Sequence, residues 1–190
     1  MTETVRSFVA VPLPEDMRAR IAAAAEELAR ELPGVRWSRK LENLHITIKF
    51  LGQVGEDKLA TLGTELAQAL APLPRFRLEL RRLGAFPSPR RASVLWAAAD
   101  DVERGLAAVA AAVEDVGERL GFERDRRTFT GHVTVGRAKG GGVDARAALD
   151  AFATREFGAT TIDEVHIYES RLGGEGSTYV LRSRAALASN

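Results

Sequence analysis

Apolar positions along this chain recur with periods that divide it into short strands and amphipathic helices. Val5 to Val11 (VRSFVAV) reads as a strand that stops at Pro12-Leu-Pro14. Pro14, Glu15 and Asp16 then open a helix: proline lacks an N–H that the first turn leaves unpaired anyway, and carboxylates suit the positive end of the dipole. Met17, Ile21, Leu28 and Leu32 share one stripe of that helix, and Pro33-Gly34 ends it. A strand follows within Asn43 to Gly52. Leu59, Leu62, Leu66 and Leu70 predict a second helix, closed by Pro72 and Pro74, and Phe76, Leu78 and Leu80 alternate as a strand does. The turn-rich segment Phe86 to Arg91 (FPSPRR) leads to a strand at Ser93 to Ala98. Val102, Leu106, Val109, Val113, Val116 and Leu120 predict a third helix starting at Val102 and capped by Gly121. A strand at Phe129 to Val135, a break at Gly140 to Gly142, a short helix over Val143 to Phe152, and strands near Ile162 to Glu169 and Thr178 to Arg184 complete the pattern.

Strand and helix alternate, but several strands alternate apolar with polar residues, which favours antiparallel pairing over a fully buried parallel sheet. The expectation is an α+β fold. No shift in composition marks a linker, so residues 1–190 read as one domain, and a motif that recurs after a strand-and-helix segment suggests two similar lobes within it.

The 190 residues carry a net charge of +1, so any contact with nucleic acid has to come from a local patch. Most of the positive charge is arginine; Lys40, Lys49, Lys58 and Lys139 are the four lysines. The chain has no cysteine, which excludes disulfides, thiolate metal sites and a cysteine nucleophile. It has no run of roughly 20 apolar residues and no signal-peptide layout at Met1 to Arg6, so the expectation is a soluble, cytoplasmic protein.

The chemistry concentrates in two copies of one pattern. Asn43 to Gly52 (NLHITIKFLG) sets His45 and Thr47 two apart between apolar neighbours, and 87 residues after His45, Thr130 to Gly136 (TGHVTVG) does the same with His132 and Thr134. In a strand, residues i and i+2 point the same way. His45 therefore shares a face with Thr47, and His132 with Thr134, while Ile46 and Val133 face the other side. Only three histidines exist, and two of them occupy the same local pattern. The third, His166 in EVHIYES, has no such partner and reads as structural.

Two imidazoles and two hydroxyls suit paired general acid and general base catalysis, because one ring can be neutral and the other protonated at the same pH. A phosphodiester undergoing in-line displacement needs a base on the attacking side, an acid on the leaving side and donors on the equatorial oxygens. Arg137, just past the second motif, can add charge to such a phosphate clamp. Zinc is the rival use of two histidines, but no His-Glu-x-x-His or His-x-His pattern is present. The chain also lacks a Gly-x-Ser-x-Gly elbow, and the glycine runs lack the Lys-Ser/Thr of a phosphate loop, so those runs read as turns.

These residues resemble the two-histidine phosphoesterase superfamily, and within it the bacterial and archaeal RNA 2′,3′-cyclic phosphodiesterases of the LigT type, historically called 2′-5′ RNA ligases. The likeness runs through RSFVAVPLPED, VRWSRKLENLHITIKFLGQV, LGAFPSPRRASVLWAAA, FTGHVTVGRAK and IYESRLGGEGSTYVL. It implies a bilobal α+β fold, each lobe an antiparallel sheet with helices outside, and a central cleft lined by the motifs. It further implies metal-independent hydrolysis of RNA 2′,3′-cyclic phosphate ends, or of cyclic nucleotides, to 2′-phosphates, with no cofactor. His45 would be the proton donor to the departing 3′ oxygen, His132 the proton acceptor from water, and Thr47, Thr134 and Arg137 the phosphate-binding residues. In one departure, Gly131 stands where the family commonly has proline, which suggests a looser backbone before His132.

Two other readings remain open at the level of sequence. One is an RNA- or nucleotide-binding module with little turnover, with Arg36, Arg39, Lys40, Arg90 and Arg91 as a basic rim and Trp37 stacking a base. The other is 2′-5′ ligation of cyclic-phosphate and 5′-hydroxyl ends, the same chemistry with an alcohol in place of water. A monomer without membrane contact is expected in either case.

Overall fold

Antiparallel pairing dominates the computed structural model, which describes residues 4–38, 40–174 and 176–189. The elements are β1 (Thr4–Pro12), α1 (Glu15–Glu31), β2 (Val35–Trp37), β3 (His45–Gly55), α2 (Glu56–Leu70), β4 (Phe76–Phe86) and β5 (Val94–Asp100), followed by α3 (Gly105–Arg119), β6 (His132–Ala138), α4 (Arg146–Asp150), β7 (Glu156–Ile162), β8 (Glu164–Gly173) and β9 (Gly176–Ala186). Short 3-10 turns stand at Leu41–Asn43 and Pro89–Arg91.

The strands lie in the order β7-β4-β5-β6-β3-β1-β8-β9, with β2 added on β6. β7-β4-β5-β6 form one half and β3-β1-β8-β9 the other, and between them β3 meets β6 at the single register pair Ile46↔Val133. The halves exchange strands. β4, which follows α2 in the chain, crosses to pair with β5, whereas β8 crosses back to pair with β1. This is the expected α+β architecture, with the two sheets meeting edge to edge along the two motif strands.

One face of the sheet carries Val9, Val11, Ile46, Ile48, Leu95, Ala97, Val133 and Val135, all buried in a single core with the apolar stripes of α1, α2 and α3. Lys49 lies buried on this side too. Its ammonium donates to Glu114 of α3 at 2.8 Å and to the Glu123 carbonyl at 2.7 Å, so the charge is paired rather than isolated.

The structure differs from the sequence pattern in three places. The third helix starts at Gly105 rather than Val102, because the Asp101 carboxylate accepts the N–H groups of Leu106 and Ala107 at 3.0 and 2.8 Å and Arg104 turns left-handed (φ 58°). Val102 is left outside the helix, 81% exposed. The short helix is shorter than expected, Arg146–Asp150. β2 and β7 appear in segments where no strand is expected; β7 is the outer neighbour of β4, and it places Ile162 in its own last position rather than at the start of β8.

Candidate active site

The Ile46↔Val133 pair fixes the relation between the two motifs. In an antiparallel register, the residues flanking one member oppose those flanking the other, so His45 lies across from Thr134 and Thr47 across from His132. Ile46 and Val133 are fully buried on the helix side, so alternation turns all four polar side chains to the opposite face. The two histidines are then diagonal neighbours, a relation that puts residues about 7–8 Å apart in a regular pair, with their Cβ atoms somewhat closer.

Each motif strand carries a β-bulge immediately after its threonine. On β3, Ala10 pairs with Thr47 but Val9 pairs with Lys49, leaving Ile48 as the extra residue. On β6, Trp96 pairs with Thr134 but Leu95 pairs with Gly136, leaving Val135 extra. A bulge sets two residues against one and so reverses the alternation beyond it. Simple alternation from His132 would send Arg137 to the helix side. The bulge instead brings Arg137, opposite Val94, onto the face of His132 and Thr134. The same shift on β3 brings Phe50, opposite Phe8, onto the face of His45 and Thr47. Arg137 and Phe50 thus hold equivalent positions in the two halves.

His45 sits in an aromatic nest. Phe8 stacks on it at 4.9 Å between ring centroids, and Tyr179 meets it edge-on at 5.2 Å. Burial in these rings disfavours the charged imidazolium and lowers its pKa to about 4, an effect the Asn43 backbone only partly opposes. Nε2 shares a hydrogen bond with the Thr47 hydroxyl at 3.0 Å, while the buried Nδ1 closes none.

His132 is held differently. Its Nδ1–H donates to the Thr130 carbonyl at 2.7 Å, which fixes the proton on Nδ1 and leaves Nε2 an acceptor when the ring is neutral. Phe86 packs edge-on to it at 5.2 Å. Burial lowers its pKa, the Thr130 carbonyl opposes the shift, and the nearby Arg137 charge adds to it.

Gly131 is a packing position rather than a loose one. A Cβ there would come within 2.5 Å of Leu106 Cδ2 and 3.2 Å of Ala99 Cβ, so the missing side chain is what lets α3 approach the motif. His166 is buried away from solvent: its Nε2–H donates to Glu164 at 2.6 Å, and its Nδ1 accepts the Tyr168 hydroxyl at 2.8 Å. Tyr168 in turn stacks on Phe8, so His166 braces the nest around His45 from behind.

The rim residues separate into two groups. Arg36 pairs with Arg137 across β2 and β6 and is exposed beside it, and Arg90 and Arg91 are exposed in the following 3-10 turn. Lys40 is tied to the Thr178 hydroxyl at 3.3 Å, and Arg39 lies outside the described residues. Trp37, expected as a stacking candidate, opposes Gly136 and packs against the core instead. A Cβ on Gly136 would meet Val35 and Trp37 at 2.7 and 2.9 Å. Among the described residues, no group of three or more His, Asp or Glu stands together as metal ligands, and no helix is long and apolar enough to cross a membrane.

A curled antiparallel sheet joined through two His-x-Thr strands, with an arginine turned onto the same face, is the framework of a two-histidine phosphoesterase. The chain belongs to the LigT-like phosphoesterase family. The model described as "LigT like Phosphoesterase" matches residues 11–96, which hold the first motif. The RNA 2′,3′-cyclic phosphodiesterase of Archaeoglobus fulgidus is 32% identical over 177 residues, covering 92% of this chain and 96% of that one. Among solved structures, TT0787 of Thermus thermophilus superposes with a TM-score of 0.78 at 25% identity, covering 96% and 97% of the two chains. Apo E. coli LigT superposes with a TM-score of 0.76 at 26% identity, covering 98% and 99%. E. coli LigT has also been solved with 3′-AMP and with phosphate.

Proposed function

We propose that this chain hydrolyses RNA 2′,3′-cyclic phosphate ends, and cyclic nucleotides of the same form, to 2′-phosphates without a metal, and that residues 1–190 act as one domain of two pseudo-symmetric lobes. The observation that carries the reading is the cross-strand register, in which each motif histidine opposes the other motif's threonine on one face of the sheet. Relatives named RNA 2′,3′-cyclic phosphodiesterase, similar over most of the chain, support the same reaction.

The cyclic phosphate lies between the rings. The Thr47 and Thr134 hydroxyls donate to its non-bridging oxygens, and Arg137 balances their charge. His132 Nε2, the acceptor in its fixed tautomer, takes a proton from water as the water oxygen bonds to phosphorus. The P–O3′ bond breaks in line with that attack, and His45 delivers its proton to O3′. The product is a 2′-phosphomonoester and a free 3′-hydroxyl; the proton held by His132 returns to solvent and His45 is reprotonated. An anion next to an imidazole raises its pKa, so the bound phosphodiester itself helps His45 to hold the proton it donates. The protein is read as a cytoplasmic monomer in this role.

The test is incubation of the purified protein with an oligoribonucleotide ending in a 2′,3′-cyclic phosphate, in EDTA, with chromatographic analysis of the product. A 2′-phosphate end is expected. A 3′-phosphate, or a strict need for added metal, contradicts the mechanism. Tight binding without product points to a binding module, and joining to a 5′-hydroxyl strand points to ligation.

A further inference from the structure

Two residues before each motif histidine stands a polar residue, and the two halves use it differently. In the second half Thr130 holds His132 directly, through its carbonyl. In the first half the Asn43 side chain reaches away from its histidine, and its Nδ2–H donates to the Ser177 carbonyl of β9 at 2.9 Å. The Asn43 Oδ1 is buried without a partner, so the bond to Ser177 is what orients the amide. The Lys40 ammonium adds a solvent-exposed bond to the Thr178 hydroxyl at 3.3 Å. The 3-10 turn that carries Asn43 is itself anchored, because Leu44 is buried in the core and Leu41 packs against it.

The hairpin that Asn43 grips has little other support. β1 pairs with β8 from Ala10↔His166 to Ser7↔Glu169, and beyond Glu169, among the described residues, β8 pairs with β9 alone. Residues 170–173 and 176–179 therefore form a two-stranded ribbon, a unit that is marginal in water when it stands by itself. Tyr179 stands at the base of this ribbon, directly after the two residues that the turn holds. Its ring meets His45 edge-on at 5.2 Å and Phe8 at 4.9 Å. We propose that Asn43 is a positioning residue for the acid: by fixing Ser177 it holds the Tyr179 ring against His45, so that the imidazole keeps its apolar shelter and its orientation towards Thr47. The shelter bears on the reaction because a ring disfavoured as a cation gives its proton more readily to a departing oxygen. The ionisable groups around His45 are the Tyr168 and Tyr179 phenols, whose pKa values burial raises, and the Arg137 guanidinium, whose charge reaches Tyr179. His45 itself is shifted by burial rather than by a neighbouring charge. The role as acid rests on the hydrolase reading, whereas the hold on Tyr179 does not.

The test is a pH titration of the histidine rings by NMR in ligand-free, ¹⁵N-histidine-labelled protein, for wild type, Asn43→Ala, Tyr179→Ala and the double variant. Wild-type His45 should titrate at about 4. Asn43→Ala should raise this value towards the ordinary 6.5 by about one pH unit or more, roughly tenfold in proton affinity. Tyr179→Ala, which leaves the turn untouched, should raise it by as much, and the double variant no further, because Asn43 acts through Tyr179. Lys40→Ala, which removes only the solvent-exposed bond, should shift His45 the same way by less. His132 should titrate as in wild type throughout. In the enzyme assay, the limb of the kcat/KM profile that follows His45 should move with the ring while the other limb stays. A His45 value that rises in Tyr179→Ala but in neither turn variant would overturn the proposal, as would equal movement of His45 and His132, the sign of general loosening. The expected NMR shifts in a protein that hydrolyses no cyclic phosphate would leave the hold on Tyr179 standing and remove the hydrolase reading.

Discussion

Ile46 and Val133 form the single register pair through which strand 3 meets strand 6, and the arrangement of the candidate site follows from it. Both are fully buried on the helix side, so every polar motif residue is turned away from the core onto the other face. A one-residue slip at this pair would turn one motif into the core and destroy the site.

The histidines should separate by role. His45→Ala and His132→Ala are each expected to lower kcat by about 10²–10⁴-fold with little change in folding. His166→Ala should do the opposite. It leaves the Glu164 carboxylate and the Tyr168 hydroxyl without their buried partner, which costs about 1–3 kcal/mol of stability, while the folded fraction stays active. Thermal melts beside initial rates on the three variants check this; equal kinetic losses at all three positions would remove the assignment.

The two histidines also set the response to pH. Both are depressed from their ordinary range, His45 to about 4. In the free enzyme the lowered pKa of His132 favours the neutral ring that its proposed role as base needs, whereas His45 holds its proton only at acid pH. The profile of kcat/KM, which reports free enzyme, should have both limbs on the acid side of 6.5. The kcat profile, which reports the complex, should move to higher pH because the bound anion raises the pKa values of both rings. Folding should respond as well. A histidine whose folded pKa lies below its unfolded value contributes stability that is present above pH 6.5 and is lost as pH falls toward 4. For His45 that loss is about 3 kcal/mol from the size of the shift. His45→Gln should flatten this part of a stability–pH curve measured by urea unfolding.

The proposed phosphate clamp predicts graded effects. Thr47→Val and Thr134→Val keep shape and remove one donor each, and each should lower kcat by about 10²-fold. Arg137→Ala should act mainly on KM, with a loss that shrinks as salt rises, because the side chain is exposed at the rim. Steady-state kinetics at two ionic strengths distinguish the three variants.

The kinship of the two motifs was legible in the sequence, but the strand geometry that brings them together was not. Two His-x-Thr patterns on strands with an apolar opposite face are enough to predict that the four side chains share chemistry, and the spacing of Leu59, Leu62, Leu66 and Leu70 reads directly as α2. The bulges at Ile48 and Val135 left no mark in residue type, since valine and isoleucine suit any strand. Yet they decide that Arg137 and Phe50 share the face of the motif histidines and threonines. β7 carries little hydrophobic signal, being built on Gly158, Ala159, Thr160 and Thr161, and β2 is only three residues long. Val102 extended the helical stripe by coincidence, and the Asp101 carboxylate that starts the helix later is a contact seen only in three dimensions.

Gly131 offers a prediction about packing. Gly131→Pro should destabilise this protein by about 1–3 kcal/mol, because its Cβ would press on Leu106. Shortening the neighbour should relieve it, so Gly131→Pro combined with Leu106→Ala should lose less than the sum of the two single changes. Urea denaturation of the four proteins in the cycle measures the coupling; strict additivity would mean that the glycine serves no packing role.

The most direct measurement is a titration of ¹⁵N-histidine-labelled protein with a 2′-nucleotide, followed by NMR. The ring resonances of His45 and His132 should move together, along one binding curve with one ligand per chain, while those of His166 stay fixed. If only one of the two rings responded, or if they followed different affinities, they would not flank a shared phosphoryl group, and the mechanism built on that arrangement would be wrong.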